Sequence, residues 1–189
     1  MTTLAPTLSN RYFPRTTEWV RSLFLIVLGS LLLAGLAQIE IPLMPVPITG
    51  QTFGVLLIGA ALGSKRGAAT MILYITEGAM GLPFFAGGAS GLGILTGATA
   101  GYLVGFVVAA YVIGWLAERG LERSVRTSII PFLAGTVIIY IFGVAWLSTV
   151  VGGLGKAIEF GMLPFLFGDA VKLILASLAL PSAWKLAKE

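Results

Sequence analysis

Long apolar runs separated by short charged flanks dominate this chain, and that pattern leaves few folds open. The first run, from about Val20 to Ile39, is charge-free between Arg21 and Glu40. At 1.5 Å rise per residue, a helix of that length crosses a hydrocarbon layer of about 30 Å. Five further runs read as spans, over about 51–63, 68–82, 94–117, 128–151 and 163–184. Composition agrees: 57% of residues are hydrophobic and 11% are charged, against about 25% charged in a soluble domain. The 25 glycines fit as well, because glycine is commoner in membrane helices than in soluble ones. The expected fold is an all-α membrane protein of six transmembrane helices, forming one integral domain over residues 1–189.

Positive charge sets the expected orientation. With the N-terminus inside, Arg11, Arg15, Arg21, Lys65, Arg66, Arg119, Arg123, Arg126, Lys185 and Lys188 all face the cytoplasm. That leaves Lys156 outside and Lys172 within a span. Both termini are therefore expected in the cytoplasm, with the chain multi-pass in the plasma (inner) membrane. Residues 1–18 are polar, and the run after them is too long for a signal h-region, so no cleavable signal is expected. The net charge of +4 sits in these flanks and reads as a topology signal, not as a nucleic-acid surface.

Two connections carry more than their length. Ile41-Pro-Leu-Met-Pro-Val-Pro-Ile-Thr-Gly50 holds three prolines, which prevent a regular helix, yet it is largely apolar. The second span, 51–63, covers only about 20 Å. The proline segment must supply the rest of that crossing, and irregular backbone at membrane depth has to be buried in protein or line a cavity. A lid is the expected role. Ser64-Lys65-Arg66-Gly67 reads as a tight turn, Ala86-Gly-Gly-Ala-Ser-Gly-Leu-Gly93 as a glycine-rich loop, and Gly152-Gly-Leu-Gly155 as another loop.

Three ionisable residues fall inside spans: Glu77, Asp169 and Lys172. Such groups are costly in lipid, so they should face protein or a watery cavity, and they are functional candidates by default. Asp169 and Lys172 are three apart and share a helix face. By helical rise they lie roughly 8–14 Å from the outer end of their span, and Glu77 roughly 8–11 Å from its own. Thr96, Thr99, Tyr102, Tyr140, Trp146 and Gln51 fall near the same level. A lysine there suits a carboxylate, an aspartate accepts from N–H donors, and aromatic walls suit an apolar body. Plainer readings stand beside this one. Asp169 and Lys172 also read as a structural ion pair, Glu77 as a partner for a tyrosine or backbone group or as an interfacial residue, and the aromatics as packing. Trp19, Trp115 and Trp184 read as interfacial belt residues.

Small residues at i and i+4 allow close helix packing, and the pairs Ser30/Ala34, Gly59/Gly63 and Gly97/Gly101 have that spacing. Packing within the chain and docking of another membrane protein both fit them. With no cysteine and no histidine, disulfides, thiol chemistry and the commonest metal ligand are excluded. No phosphate-binding loop of the Walker type occurs, and no nucleophile–base pair is recognisable. No enzyme activity, metal or cofactor is expected.

On particular stretches the chain resembles the BioY family, the biotin-specific substrate-binding (S) components of energy-coupling factor (ECF) transporters. These stretches are Pro45-Val-Pro-Ile-Thr-Gly-Gln-Thr-Phe53, Leu56-Leu-Ile-Gly-Ala-Ala-Leu-Gly63, Gly78-Ala-Met-Gly-Leu-Pro-Phe-Phe-Ala-Gly-Gly88, Gly97-Ala-Thr-Ala-Gly-Tyr-Leu-Val-Gly-Phe106 and Gly168-Asp-Ala-Val-Lys172. They occur in family order across about residues 40–180. The resemblance implies a six-helix S-component fold and a biotin pocket near the extracellular side, under the loop between the first two spans. It implies that Lys172 meets the biotin carboxylate and Asp169 the ureido N–H groups. Gly87, Gly88 and Gly91 would lie beside the ligand, with Gln51, Tyr102 and Glu77 completing the candidate set. The family's Gly-Pro-Thr-Gly-Gly-Tyr stretch appears here as Gly97-Ala-Thr-Ala-Gly-Tyr102. Partners implied are a transmembrane coupling protein, docking on the Ser30-x-x-x-Ala34 face, and cytoplasmic ATPase subunits. The alternatives are a self-sufficient secondary transporter of a small carboxylate, proton-coupled through Glu77, and more remotely an intramembrane enzyme using Glu77 and Asp169.

Overall fold

The computed structural model describes residues 3–6 and 17–188, and it is mostly helical. The main helices are α1 (Glu18–Ala37), α2 (Gln51–Leu62), α3 (Ser64–Ala79), α4 (Ala100–Ala117), α5 (Val125–Val151), α6 (Leu154–Gly161) and α7 (Leu166–Lys188). Four helical stretches are long and apolar enough to cross a membrane: α1, α4, α5 and Leu154–Lys185. Large apolar side chains stand exposed on their outer faces, among them Phe24, Leu31, Ile141 and Ile174. Such a surface is stable in lipid and not in water. Arg11 and Arg15, expected to mark the cytoplasmic flank, lie outside the described residues.

α4 forms the centre, packed against α2, α3 and α5. Glycine faces make this possible. A Cβ on Gly101 would lie 2.5 Å from the Phe142 carbonyl oxygen, and one on Gly105 would lie 3.1 Å from Ile139 Cα. The i, i+4 pair that seats α4 on α5 is therefore Gly101/Gly105, one helical turn beyond the Gly97/Gly101 pair expected. Gly59 packs within the chain against Ala110 of α4 and Gly67 of α3. Ser30 is fully buried and Ala34 is 7% exposed. Their face of α1 is turned into the chain, so it corrects the expected docking surface to an internal packing surface.

Several boundaries differ from expectation. Ser64, Lys65 and Arg66 open α3 instead of forming a turn. The reversal is made at Gly63 alone, with φ of +88°, a backbone that favours glycine. The Glu118 carboxylate at the end of α4 accepts from Ser64 N at 2.8 Å and from Ser64 Oγ at 2.9 Å. It satisfies orphan donors at the α3 N-terminus and complements the helix dipole. Leu92–Thr96 forms a 3₁₀ turn, so α4 starts at Ala100 and not near Ile94. Gly152 and Gly153 end α5, but Leu154–Gly161 then forms α6 where a loop was expected.

The proline segment is a small hairpin. Strands β1 (Glu40–Ile41) and β2 (Ile48–Thr49) pair antiparallel, Glu40 opposite Thr49 and Ile41 opposite Ile48. Gly50 N donates to Ile39 O at 2.9 Å and fastens its base. The Met44–Pro45 peptide is cis.

The hairpin sits at one end of the helices. Arg66 pairs with Glu18, Ser64 with Glu118, and Trp184 with Glu122 at the other. Lys65, Arg119, Arg126 and Lys185 follow these residues in sequence, so basic charge gathers at the end away from the hairpin. Trp184 is 7% exposed and donates to Glu122 Oε1, so it is a core residue and not a belt residue.

Candidate ligand-binding site

A cleft lies beneath the hairpin, walled by the ends of α2, α4 and α7, by the middle of α5 and by the glycine-rich loop. Each wall has a local cause. Gln51 and Thr52 open α2, where Thr49 Oγ1 accepts from Gln51 N at 3.2 Å. That hydroxyl meets one of the free N–H groups at the start of the helix. Tyr102 leaves α4 through a slot between two glycines. A Cβ on Gly143 would lie 2.3 Å from the Tyr102 ring, and one on Gly161 would lie 2.3 Å from its hydroxyl. The hydroxyl donates to Gly161 O at 2.7 Å, which ties α4 to the end of α6. Phe85 is held by an edge contact to Tyr74, 5.6 Å between centroids, and by the bare face of Gly78.

The polar centre is a compact network. Lys172 Nζ donates to Asp169 Oδ1 and to Thr52 Oγ1, both at 2.8 Å. Thr52 Oγ1 donates to Asp169 Oδ1 at 3.0 Å. Tyr140 donates its hydroxyl to Asp169 Oδ2. Both carboxylate oxygens thus have donors, which a 6% exposed aspartate requires. A second chain runs alongside it. Thr49 Oγ1 donates to Gln51 Oε1 at 2.8 Å, Gln51 Nε2 to Tyr74 Oη at 2.9 Å, and Tyr74 Oη to Phe84 O at 3.0 Å. This chain joins the hairpin, α2, α3 and the segment leading into the glycine-rich loop, with Gln51 and Tyr74 buried at its centre. Apart from Thr99 and Tyr102, the rest of the wall is apolar, with Val46, Leu103, Phe106 and Phe165 prominent. One cation, one carboxylate and hydroxyl groups in an apolar cleft suit a small ligand with an anionic end, hydrogen-bonding groups and an apolar body.

The chain shares its sequence and fold with known proteins. The sequence model of the BioY family matches residues 5–189. The chain belongs to the BioY family. Among its family relatives is a biotin transporter BioY from Thermotoga maritima, 44% identical over 142 residues, covering 75% of this chain and 83% of the relative. Another, from Rhodobacter capsulatus, is 40% identical over 173 residues, covering 84% and 90%. A third, from Rhizobium etli, is 39% identical over 151 residues, covering 76% and 80%. In structure the chain is similar to the crystallised S-component for biotin from an ECF-type ABC transporter. That TM-score is 0.79, with 26% identity, over 90% of this chain and 95% of the other.

Of the residues expected at the site, Asp169, Lys172, Gln51 and Tyr102 line this BioY cleft together. Glu77 does not. It accepts a hydrogen bond from Ser30 and joins α3 to α1. Its helix face is turned to α1 instead of to the cleft. Gly87, Gly88 and Gly91 also stand off the cleft wall, which Phe85 and Ala86 form in their stead. Gly91 N donates to Gly78 O at 2.8 Å and anchors the loop to α3. Trp146 lies outside the cleft, 40% exposed, donating to Gly97 O. Thr52 went unnoticed in the sequence, although it follows Gln51 directly and lies in the same motif stretch. A hydroxyl one step inside a helix that starts at the level of an ion pair is the signal that could have found it.

Proposed function

We propose that this chain is the substrate-binding component of a vitamin uptake transporter. It captures biotin at the extracellular side for ATP-driven import with ECF partner subunits. The observation that carries this reading is the Asp169–Lys172–Thr52–Tyr140 network at the base of an apolar cleft. Relatives whose names state biotin transport, and an S-component for biotin of similar fold, supply the ligand.

In this reading Lys172 receives the biotin carboxylate. Its ammonium exchanges Asp169 and Thr52 for the incoming anion, a charge-assisted contact of the stronger kind. Asp169 then accepts from the ureido N–H groups and keeps Tyr140 as a second donor. The apolar walls take the ring and the aliphatic chain. The reading takes six membrane crossings, with α2 and the hairpin sharing one. The gathering of basic residues at the end away from the cleft supports cytoplasmic termini and a cleft facing outward in the plasma membrane. A transmembrane coupling protein and cytoplasmic ATPase subunits are the partners. The chain itself is a transport component and not an enzyme.

Calorimetry on the purified chain tests this. Biotin should bind saturably. Lys172→Met and Asp169→Asn should each weaken binding by roughly tenfold to a hundredfold, the worth of one hydrogen bond to a charged group. Absence of saturable biotin binding to the folded chain would sink the reading.

A further inference from the structure

The cavity in the cleft has a volume of about 60 Å³, far below the roughly 300–1,000 Å³ of small-molecule sites. A ligand of biotin's size enters only if walls part. The helices that frame the cleft are packed against one another. The hairpin and the glycine-rich loop are its lighter walls, contributing Val46 and Pro47 on one side and Phe85 and Ala86 on the other.

One exposed side chain fastens the glycine-rich loop to the end of α1, two residues before the hairpin begins. Gln38, just past α1, holds its amide across the gap. Nε2 donates to Ala34 O at 3.1 Å and to Phe85 O at 3.2 Å, with Phe84 O further off at 3.4 Å. Oε1 accepts from Gly88 N at 3.0 Å. The glycine-rich loop is shaped for this. Gly87 and Gly88 have φ of +65° and +71°, successive left-handed residues that non-glycine side chains resist. A Cβ on Gly87 would lie 3.1 Å from Glu40 Oε1 of the hairpin, so the loop approaches β1 closely there. Gln38 itself does not line the cleft.

We propose that Gln38 is the outer latch of the site, a positioning residue that touches no ligand and sets how fast the cleft opens and closes. The inference rests on reading the cleft as the ligand site. It assigns Gly87 and Gly88 to the fastening rather than to ligand contact. The Thr49–Gln51–Tyr74–Phe84 chain is the inner fastening, reached from the cavity, and Gln38 is the outer one.

The chain has no cysteine, so Met44→Cys on the hairpin and Ser90→Cys on the loop give two unique spin-label sites. The label distance distribution should be narrow in the parent and broad in Gln38→Leu, without ligand. Gln38→Glu keeps the acceptor for Gly88 N–H but loses both donors, so it should broaden the distribution as well. It also keeps the test open where Gln38→Leu fails to fold.

In stopped-flow binding of biotin, association and dissociation should both accelerate about tenfold in the variants, with Kd moving less than either rate. Two neutral hydrogen bonds across the gap, each worth roughly threefold to tenfold, set that size. A parent that binds biotin with variant rates unchanged overturns the latch and leaves the ligand reading intact. A parent that binds no biotin removes the ligand reading, and the spin-label distances then decide the latch alone. Unchanged distances in the folded variants overturn it.

Discussion

Lys172 Nζ lies 2.8 Å from Asp169 Oδ1, one helical turn away on α7, and the two side chains are 16% and 7% exposed. The site therefore neutralises its own charge while remaining shielded from water. Breaking such a pair by removing one partner is costlier than removing both, because a lone buried charge remains.

This relationship is testable as a double-mutant cycle. Asp169→Asn and Lys172→Met should each lower thermal stability in detergent, by less than the roughly 3–5 kcal/mol of a fully buried pair. The double variant should be more stable than the sum of the singles implies, with a coupling of about 0.5–3 kcal/mol. Biotin binding should fall in all three. Thr52→Val, which keeps the shape and drops the shared hydroxyl, should weaken biotin several-fold, about 1 kcal/mol.

Tyr102 has no spare room in its slot. Gly143→Ala would place a methyl 2.3 Å from the ring, and the hydroxyl is already bonded to Gly161 O. Overpacking of this kind costs about 1–3 kcal/mol. Tyr102→Phe loses one hydrogen bond, about 1 kcal/mol. Melting temperatures should fall for both, and further for Gly143→Ala.

Glu77 separates the transport readings. It bonds Ser30 and stands off the cleft. Glu77→Gln keeps an acceptor for that hydroxyl, so biotin affinity by calorimetry should stay within about threefold, as for sites away from the ligand. A loss as large as that of Lys172→Met would instead place Glu77 in the transport chemistry.

Glu122 predicts a pH dependence at the end away from the cleft. It is fully buried in the turn between α4 and α5, and burial raises its pKa above the ordinary carboxylate value of 4.5, against the pull of Arg123 and Trp184. Among the described residues, Oε2 has no hydrogen-bond partner. With the folded value raised, the folded protein holds the proton more tightly than the unfolded chain. This contribution is favourable at low pH and is lost as pH climbs from about 4.5 through the raised value. Thermal unfolding between pH 5 and 8 should show stability falling with pH in the parent, and a flatter profile in Glu122→Gln.

Much of this was legible in the residues. Charge-free runs marked the long helices, because lipid tolerates so few alternatives. Asp169 and Lys172 were legible because an ionised pair inside a span demands a purpose. Other features depend on tertiary structure. Depth counting gives an expected height for a residue but not its direction, so it groups Glu77 with Asp169 although the two face different partners. Ser64-Lys65-Arg66 looks like a turn until Glu118, 54 residues away, supplies the helix with its cap. Gly152 and Gly153 do end a helix, but a new one begins at Leu154 once Gly161 finds Tyr102. The glycines at 87 and 88 stand out as a motif, yet Gly88 bonds Gln38 and Gly87 lies against Glu40.

The shortness of α2 has an electrostatic consequence. Its twelve residues leave its first turn at the cleft, and α3 starts at the opposite end. Each N-terminus concentrates about half a positive charge from aligned peptide dipoles. At α3 the chain fills that place with the Glu118 carboxylate. At α2 the N-cap is Gly50 and the nearest acceptor is the neutral hydroxyl of Thr49, while Gln51 and Thr52 line the cavity. An anion drawn there meets a field from the main chain as well as from Lys172, and no side-chain replacement can remove the first of these.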